Sequence, residues 1–182
     1  MSYFNQITSR LIFRKASSDD VAAWKEFFIK NSLIHFLGLD LNKSPEELAT
    51  NWISMQLKRY DDVGLGHLAV IEKDSGLLIG MAGIIPRNWA DREDYEIAYS
   101  FIPRYWGKGF ATEAAKSLLE YGRENIQTDR FISIIDLENH ASANVARKNG
   151  MKVLFQTEFL GMDVNVFGIN LNSSVTSASS NE

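Results

Sequence analysis

Three groups of residues have types and spacings that could do chemistry. The first is Phe101-Ile102-Pro103-Arg104-Tyr105-Trp106-Gly107-Lys108-Gly109-Phe110-Ala111-Thr112, which runs from a strand-like segment through a glycine-bearing loop into an amphipathic helix. Loops of this kind leave backbone N–H groups unpaired at a helix N-terminus, where the helix dipole adds partial positive charge; phosphate binds well there. Gly107 and Gly109 permit positive φ and close approach of the backbone to a ligand, and Lys108 adds a cation. The second group is the carboxylate of Glu96, on the strand that leads into this loop, and the third is Asn139 with Ser142, where a short helix begins.

The loop reads as a pyrophosphate cradle, and two common owners can be tested against it. A P-loop needs G-x-x-x-x-G-K-[ST], which Gly107-Lys108-Gly109 does not supply. A dinucleotide fingerprint needs a third glycine where Thr112 stands, although Asp136 could mimic the ribose-binding acid. A plain strand–loop–helix connection with no ligand also fits the glycines by themselves.

The elements that must position these residues follow from periodicity. Arg10 to Lys15 reads as a strand, and Ser18 caps a helix with Val21, Trp24 and Phe28 inward. Ser44, Pro45 and Glu47 form a capping box for a second helix, whose apolar face is Leu48, Trp52 and Met55. His67 to Glu72 and Leu77 to Ile85 form a hairpin around Lys73-Asp74-Ser75-Gly76, and Arg87 to Glu93 is a polar loop. Asp94 to Ile102 is the strand feeding the cradle, and Ala111, Ala115, Leu118 and Gly122 recur at helical spacing after it. Arg130 to Asp136 is a strand and Ser142 to Asn149 a short helix; a closing hairpin, Val153 to Phe159 and Val164 to Ile169, turns around Gly161-Met162-Asp163. One domain over residues 1–169 is expected, with a disordered tail over 170–182 that is mostly Asn and Ser.

Alternation on the cradle strand puts Glu96, Ala98, Ser100 and Ile102 on one face and Tyr95, Ile97, Tyr99 and Phe101 on the core face. At roughly 3.3 Å per residue, Glu96 lies about 20 Å along the strand from Pro103. It is placed for a base or substrate-orienting role, or it is a solvated strand carboxylate. A bulge in the strand would change the alternation.

Composition bounds the rest. The 182 residues, 45% hydrophobic and 23% charged, suit one soluble globular domain with a substantial core. No apolar run approaches about 18 residues, and the start lacks a signal-peptide pattern. With no cysteine there is no disulfide, thiolate metal site or cysteine nucleophile, which fits a cytoplasmic setting. The net charge of −4, without a basic cluster, argues against nucleic-acid binding and mildly favours cationic substrates such as amines. His35, His67 and His140 share no metal-ligand spacing, so no metal is expected.

Arg104-x-x-Gly107-x-Gly109 resembles the R/Q-x-x-G-x-G/A loop of the GNAT superfamily of N-acetyltransferases. Asn139-x-x-Ser142-x-x-Val145-x-x-Lys148-x-Gly150-Met151 is similar to the family's second signature, at its usual distance from the first. Ser9 to Arg14 resembles the opening strand of the branch that acetylates ribosomal-protein N-termini, the RimJ/RimL type. The resemblance runs from about Ile7 to Ile169. It implies an α/β (α+β) fold, a mixed and largely antiparallel sheet of about seven strands flanked by helices, whose fourth and fifth strands splay apart to admit the pantetheine arm.

It also implies acetyl-CoA as donor, held by Phe101, Ile102, Arg104, Gly107, Lys108, Gly109, Phe110, Ala111, Thr112 and Asn139. Glu96, in a segment similar to the family's E-I-G-Y, would be the base. Asn139 reads locally as a helix cap as well, and Ser142 as a cap that could approach the thiol. The tyrosine that many relatives use as general acid is replaced by Ala146, leaving Ser142 and Tyr99 as candidates. The expected reaction is direct acetyl transfer to a primary amine, the N-terminal amine of a protein or peptide. The rivals are a small-amine acetyltransferase (polyamine, amino sugar or aminoglycoside) and an acyl-CoA-binding module without turnover. Expected partners are therefore an amine-bearing protein, peptide or small molecule, with no nucleic acid and no membrane, and a second copy of the chain in a homodimer. Substrate choice should lie in the loops at Ser32–Asn42, Arg87–Asp94 and Gly161–Asn165.

Overall fold

A computed structural model describes residues 2–29, 31–89 and 92–171. The chain order is β1 (Leu11–Arg14), α1 (Val21–Phe28), α2 (Pro45–Val63), β2 (Gly66–Glu72), β3 (Leu78–Trp89), β4 (Arg92–Phe101), α3 (Phe110–Asn125), β5 (Arg130–Asp136), α4 (His140–Lys148), β6 (Lys152–Phe159) and β7 (Met162–Asn170), with short 3₁₀ turns between. The seven strands form one sheet in the order β1-β2-β3-β4-β5-β7-β6. Every pairing is antiparallel except β4 with β5. This is the mixed, mostly antiparallel seven-stranded sheet expected.

The helices sort to the two faces by what each presents. α1 and α2 bring Trp24, Phe27, Phe28 and Trp52 together, with Trp24 and Phe27 stacked at 4.5 Å, and Trp52 lies over His67 of β2. On the opposite face, α3 crosses the sheet closely enough that a Cβ on Gly122 would stand 2.5 Å from the Phe131 ring of β5. A small residue there is a packing requirement, since any side chain would displace an aromatic ring of the core. α4 joins this second face through Tyr99, whose hydroxyl donates to the Ser142 carbonyl at 3.0 Å.

Several local expectations are corrected by the structure. The α1 entry is organised by Ser17, whose N–H donates to Asp20 Oδ2, with Ser18–Asp20 a 3₁₀ turn; Ser18 is not the cap. The Ser44–Glu47 box at α2 forms as read, but Met55 faces solvent, and the buried row is Leu48, Ala49, Trp52, Ile53, Gln56 and Tyr60. Of the expected polar loop, Arg87 to Trp89 and Arg92 to Glu93 are strand, and 90 and 91 lie outside the described residues. β3 and β4 pair without a register break from Gly80–Phe101 out to Trp89–Arg92, so Arg87 is a strand residue opposite Asp94. Cross-strand pairing overrode a polar composition there. The last hairpin turns at Leu160 and Gly161, since Met162 already pairs with Phe159. Asn170 closes β7 opposite Arg130, and Leu171 N–H donates to the Asp129 carbonyl. The rest of the expected tail, 172–182, lies outside the described residues.

Candidate active site

The site is a fork between two strands. β4 and β5 pair at Tyr95–Phe131 and Glu96–Ile132 and then separate. At the crotch, Ser133 Oγ donates to the Ile97 carbonyl at 2.7 Å, taking the place of the next ladder bond. Because Ile102 N–H bonds back to Ile79 of β3, even-numbered residues of β4 direct their backbone toward β3 and odd-numbered ones toward the gap. Ile97 and Phe101 confirm the period: the Phe101 carbonyl accepts from the Trp106 indole at 2.6 Å across the open side. The N–H and C=O of Tyr99, between them, therefore aim into the gap. Upstream, the fork is fixed by Asp94, fully buried on β4, which accepts from Arg130 of β5 at 2.7 and 2.6 Å and from Arg92 at 3.1 Å. Burial alone would raise the Asp94 pKa, but these guanidinium bonds outweigh it and hold it below the usual carboxylate range.

The gap opens into a cleft of about 470 Å³ that runs between the two helical layers. One end is the α3 N-terminus. Gly107 (φ 75°) and Gly109 (φ 82°) both adopt left-handed backbone, and Gly109 is the residue before the first turn, so the N–H groups of Phe110, Ala111 and Thr112 begin a helix with no residue ahead to bond them. The loop is braced from behind. Arg10 Nη1 donates to the Lys108 carbonyl at 2.9 Å, and Glu113 accepts from Thr8, Ser9, the Arg10 N–H and Arg10 Nε at 2.6 to 3.0 Å. Burial opposes ionisation of Glu113, yet these bonds bring its pKa down to about 2.

The other end belongs to Glu96. It is buried, and its Oε2 accepts from Arg87 Nε at 2.6 Å. Phe27, Phe36, Trp52, His67 and Phe159 line the same cleft. Pairing explains the arrangement. Glu96, opposite Ile85, shares a face with His67, which pairs through Gly83 to Ala98, and that is the face covered by α1 and α2. The Arg87 guanidinium also lies 5.2 Å from the Phe159 ring centre, tying β3 to the last hairpin.

The cleft thus gathers Glu96, Phe101, Gly107, Gly109, Phe110, Ala111, Thr112, Asn139 and Ser142 from the sequence-derived set. Ile102, Arg104 and Lys108 do not line it. Ile102 is buried in the core, because the strand ends one residue before it and it no longer follows the polar wall of Ala98 and Ser100. Arg104 is exposed and bonds Glu26 of α1, and Lys108 sits 5.3 Å from the Tyr105 ring centre. Asn139 caps α4, its Oδ1 accepting from Ser142 N–H at 3.1 Å; Ser142 is not the cap. Tyr99 is committed as a donor to α4, and burial pushes its phenol well above the ordinary tyrosine range. The residues that sequence reasoning missed at this end are Arg87, Trp52 and Phe159. Only tertiary pairing brings them to this end, and Pro86-Arg87-Asn88-Trp89 carries no alternation that would have signalled a longer strand.

Comparison with known proteins agrees with this geometry. The Acetyltransferase (GNAT) domain model matches residues 10–152, most of the chain, so the chain belongs to the GNAT acetyltransferase family. Among curated relatives it is 34% identical over 100 residues to the uncharacterized protein YkkB of Bacillus subtilis, covering 55% of this chain and 58% of that one. It is 39% identical over 83 residues to the uncharacterized N-acetyltransferase YnaD of the same organism, 46% and 48%. To the spermidine N(1)-acetyltransferase of Escherichia coli it is 34% identical over 85 residues, 46% and 44%. The chain spans about half the length of these relatives. Of solved structures, a GNAT-family acetyltransferase from Bacillus anthracis superposes with a TM-score of 0.73 at 25% identity, covering 92% of this chain and 98% of that one. RimL, a ribosomal L7/L12 alpha-N-protein acetyltransferase in complex with coenzyme A, superposes at 0.74 with 17% identity, covering 93% and 98%, a likeness of fold. No helix among the described residues is long and apolar enough to cross a membrane.

Proposed function

We propose that this chain transfers the acetyl group of acetyl-CoA directly to a primary amine, and that the acceptor is the N-terminal amine of a protein or peptide. The observation that carries the reading is the fork itself, with a glycine-built helix N-terminus at one end and a buried carboxylate at the other. The N–H groups at Phe110 to Thr112 suit a pyrophosphate, and the backbone of Tyr99 in the gap suits the amide-bearing arm that follows it. The thioester then reaches the crotch of the fork.

There the acceptor ammonium must lose a proton before its nitrogen can attack. Glu96 takes that proton, its Oε2 steadied by Arg87 and its Oε1 left to face the amine or a single intervening water. The nitrogen lone pair forms the C–N bond at the thioester carbon, the C–S bond breaks, and the CoA thiolate leaves and is protonated. The Tyr99 N–H is the preorganised donor nearest the developing oxyanion. The Ser142 hydroxyl, half-buried on the cleft wall, is a source of the thiolate's proton. A cytoplasmic setting and a homodimeric state belong to the same proposal.

A small-amine acceptor is the second reading, favoured by the similarity to the spermidine enzyme. The test is thiol release from acetyl-CoA by the purified full chain, with N-terminal peptides set against spermidine, amino sugars and free amino acids. Release with peptides is expected, and mass spectrometry after incubation with acetyl-CoA alone should show no acyl-enzyme. Release only with spermidine or amino sugars would replace the peptide acceptor. A raised Tm with CoA but no release with any amine would leave a binding module.

A further inference from the structure

His67 lines the cleft, and the reaction above does not use its chemistry. Its backbone is fully engaged: the N–H donates to Gln56 Oε1 at 2.9 Å and the carbonyl accepts from the Tyr60 hydroxyl. Its imidazole is not. The ring is buried flat against Trp52, at 5.3 Å between ring centres and 14° between planes, yet neither nitrogen has a hydrogen-bond partner among the described residues. Burying two polar atoms without partners is costly, and a strand pinned this firmly by α2 cannot turn them to solvent. Both conditions are met if something entering the cleft supplies the partner. Burial, with the charges of Arg59 and Arg87, lowers the His67 pKa to about 3, so near neutral pH the ring offers one N–H donor and one lone pair and no charge.

The position of the ring sets the kind of group it can meet. His67 and Ala98 stand two strand spacings apart on one face, about 10 Å, and Glu96 is the next residue along that face. Trp52 lies over the ring, Phe159 stands beside Arg87, and both line the cleft together with Phe27 and Phe36. Among the described residues that line the cleft, Glu96 is the carboxylate at this end, and it is already paired with Arg87, while Arg59 adds a second cation nearby. A second positive charge on the acceptor would therefore meet cations and aromatic carbon, with no free acid among the described lining residues to receive it.

Building on the acetyl-transfer reading, we infer that His67 is a specificity-determining residue of an acceptor subsite for a monocationic amine with an uncharged aromatic body whose far end carries a hydroxyl. The amine meets Glu96, the ring lies among Trp52, Phe27 and Phe36, and the hydroxyl bonds the imidazole. For a peptide acceptor this is an N-terminal tyrosine.

The experiment compares kcat/KM for peptides identical except for a first residue of Tyr, Phe or Lys, and in parallel for tyramine, phenethylamine and spermidine. Wild type should favour Tyr over Phe, and tyramine over phenethylamine, by about tenfold, the worth of one buried hydrogen bond, with Lys and spermidine poorest. His67→Phe should erase the hydroxyl preference through KM while the Kd for CoA holds. His67→Gln, which keeps a donor and an acceptor, should retain part of the preference, and Tm reports whether each variant folds. Preference for tyramine without turnover of any peptide would retire the peptide reading and leave the subsite standing. Spermidine or Lys as the best substrate, or a hydroxyl preference unchanged in both variants, would overturn the subsite.

Discussion

The two ends of the cleft are built by different means. The α3 end uses backbone: three successive N–H groups and two left-handed glycines within one stretch of chain, braced through Arg10 and Glu113. The Glu96 end uses side chains brought from β2, β3, β4, α1, α2 and the β6–β7 hairpin, with the carboxylate held by an arginine and ringed by aromatics. A donor molecule that never changes is suited to a backbone site, whose geometry tolerates drift in neighbouring side chains. An acceptor that differs among relatives is suited to a side-chain site on separate elements, since any one can be replaced without unmaking the fold. Between them lies the fork, on which both ends depend.

The largest effect should come from the fork. Asp94→Ala leaves Arg130 without its buried partner and should cost about 3–5 kcal/mol in urea unfolding. A cost below about 1 kcal/mol would mean that the ion pair does not set where β4 and β5 part. Next, at the backbone end, Gly107→Val places a β-branched residue at φ 75°, with open space around its Cβ, so the change acts on the loop and not on the core. Wild type should gain about 2.7 kcal/mol from CoA at 100 times its Kd, and the variant none of it. Stabilisation by NAD in place of CoA would break the assignment of the cradle.

Smaller effects should follow from the brace. Glu113 has its folded pKa lowered to about 2, so its contribution to stability is present above the unfolded value of about 4.3 and is lost as pH falls from there toward 2. Glu113→Gln should flatten that part of the stability profile and weaken CoA binding a few-fold, with acceptor KM unmoved. A raised acceptor KM instead would show that the two ends are not separately built.

The same contrast governs what could be read from the chain. The geometry of the α3 end was legible because its residues are contiguous: Gly107, Gly109 and the helix behind them are local facts. The seven strands, and the capping box at Ser44 and Glu47, were legible for the same reason. Arg87 was hidden, since its strand looks like a loop until β4 pairs with it. His67 looked like one histidine among three without ligand spacing, and only the stacking of Trp52 from α2 shows where it points. Asn139 and Ser142 were both read as possible caps of the same short helix and only Asn139 fills that place, because side-chain oxygens three residues apart look equivalent until the first turn is seen.

In the proposed reaction the acceptor amine is deprotonated by Glu96 at the crotch of the fork. The measurement that tests it most directly is kcat/KM of Glu96→Gln against wild type as a function of pH, with CoA affinity measured alongside. Gln keeps size and hydrogen bonding but cannot accept the proton. The expected result is a fall of about 10² to 10⁴ with CoA binding intact, and a residual rate that climbs with pH as the free-amine fraction grows. Nearly full activity with the wild-type pH profile would contradict it and leave Glu96 as a strand carboxylate held by Arg87.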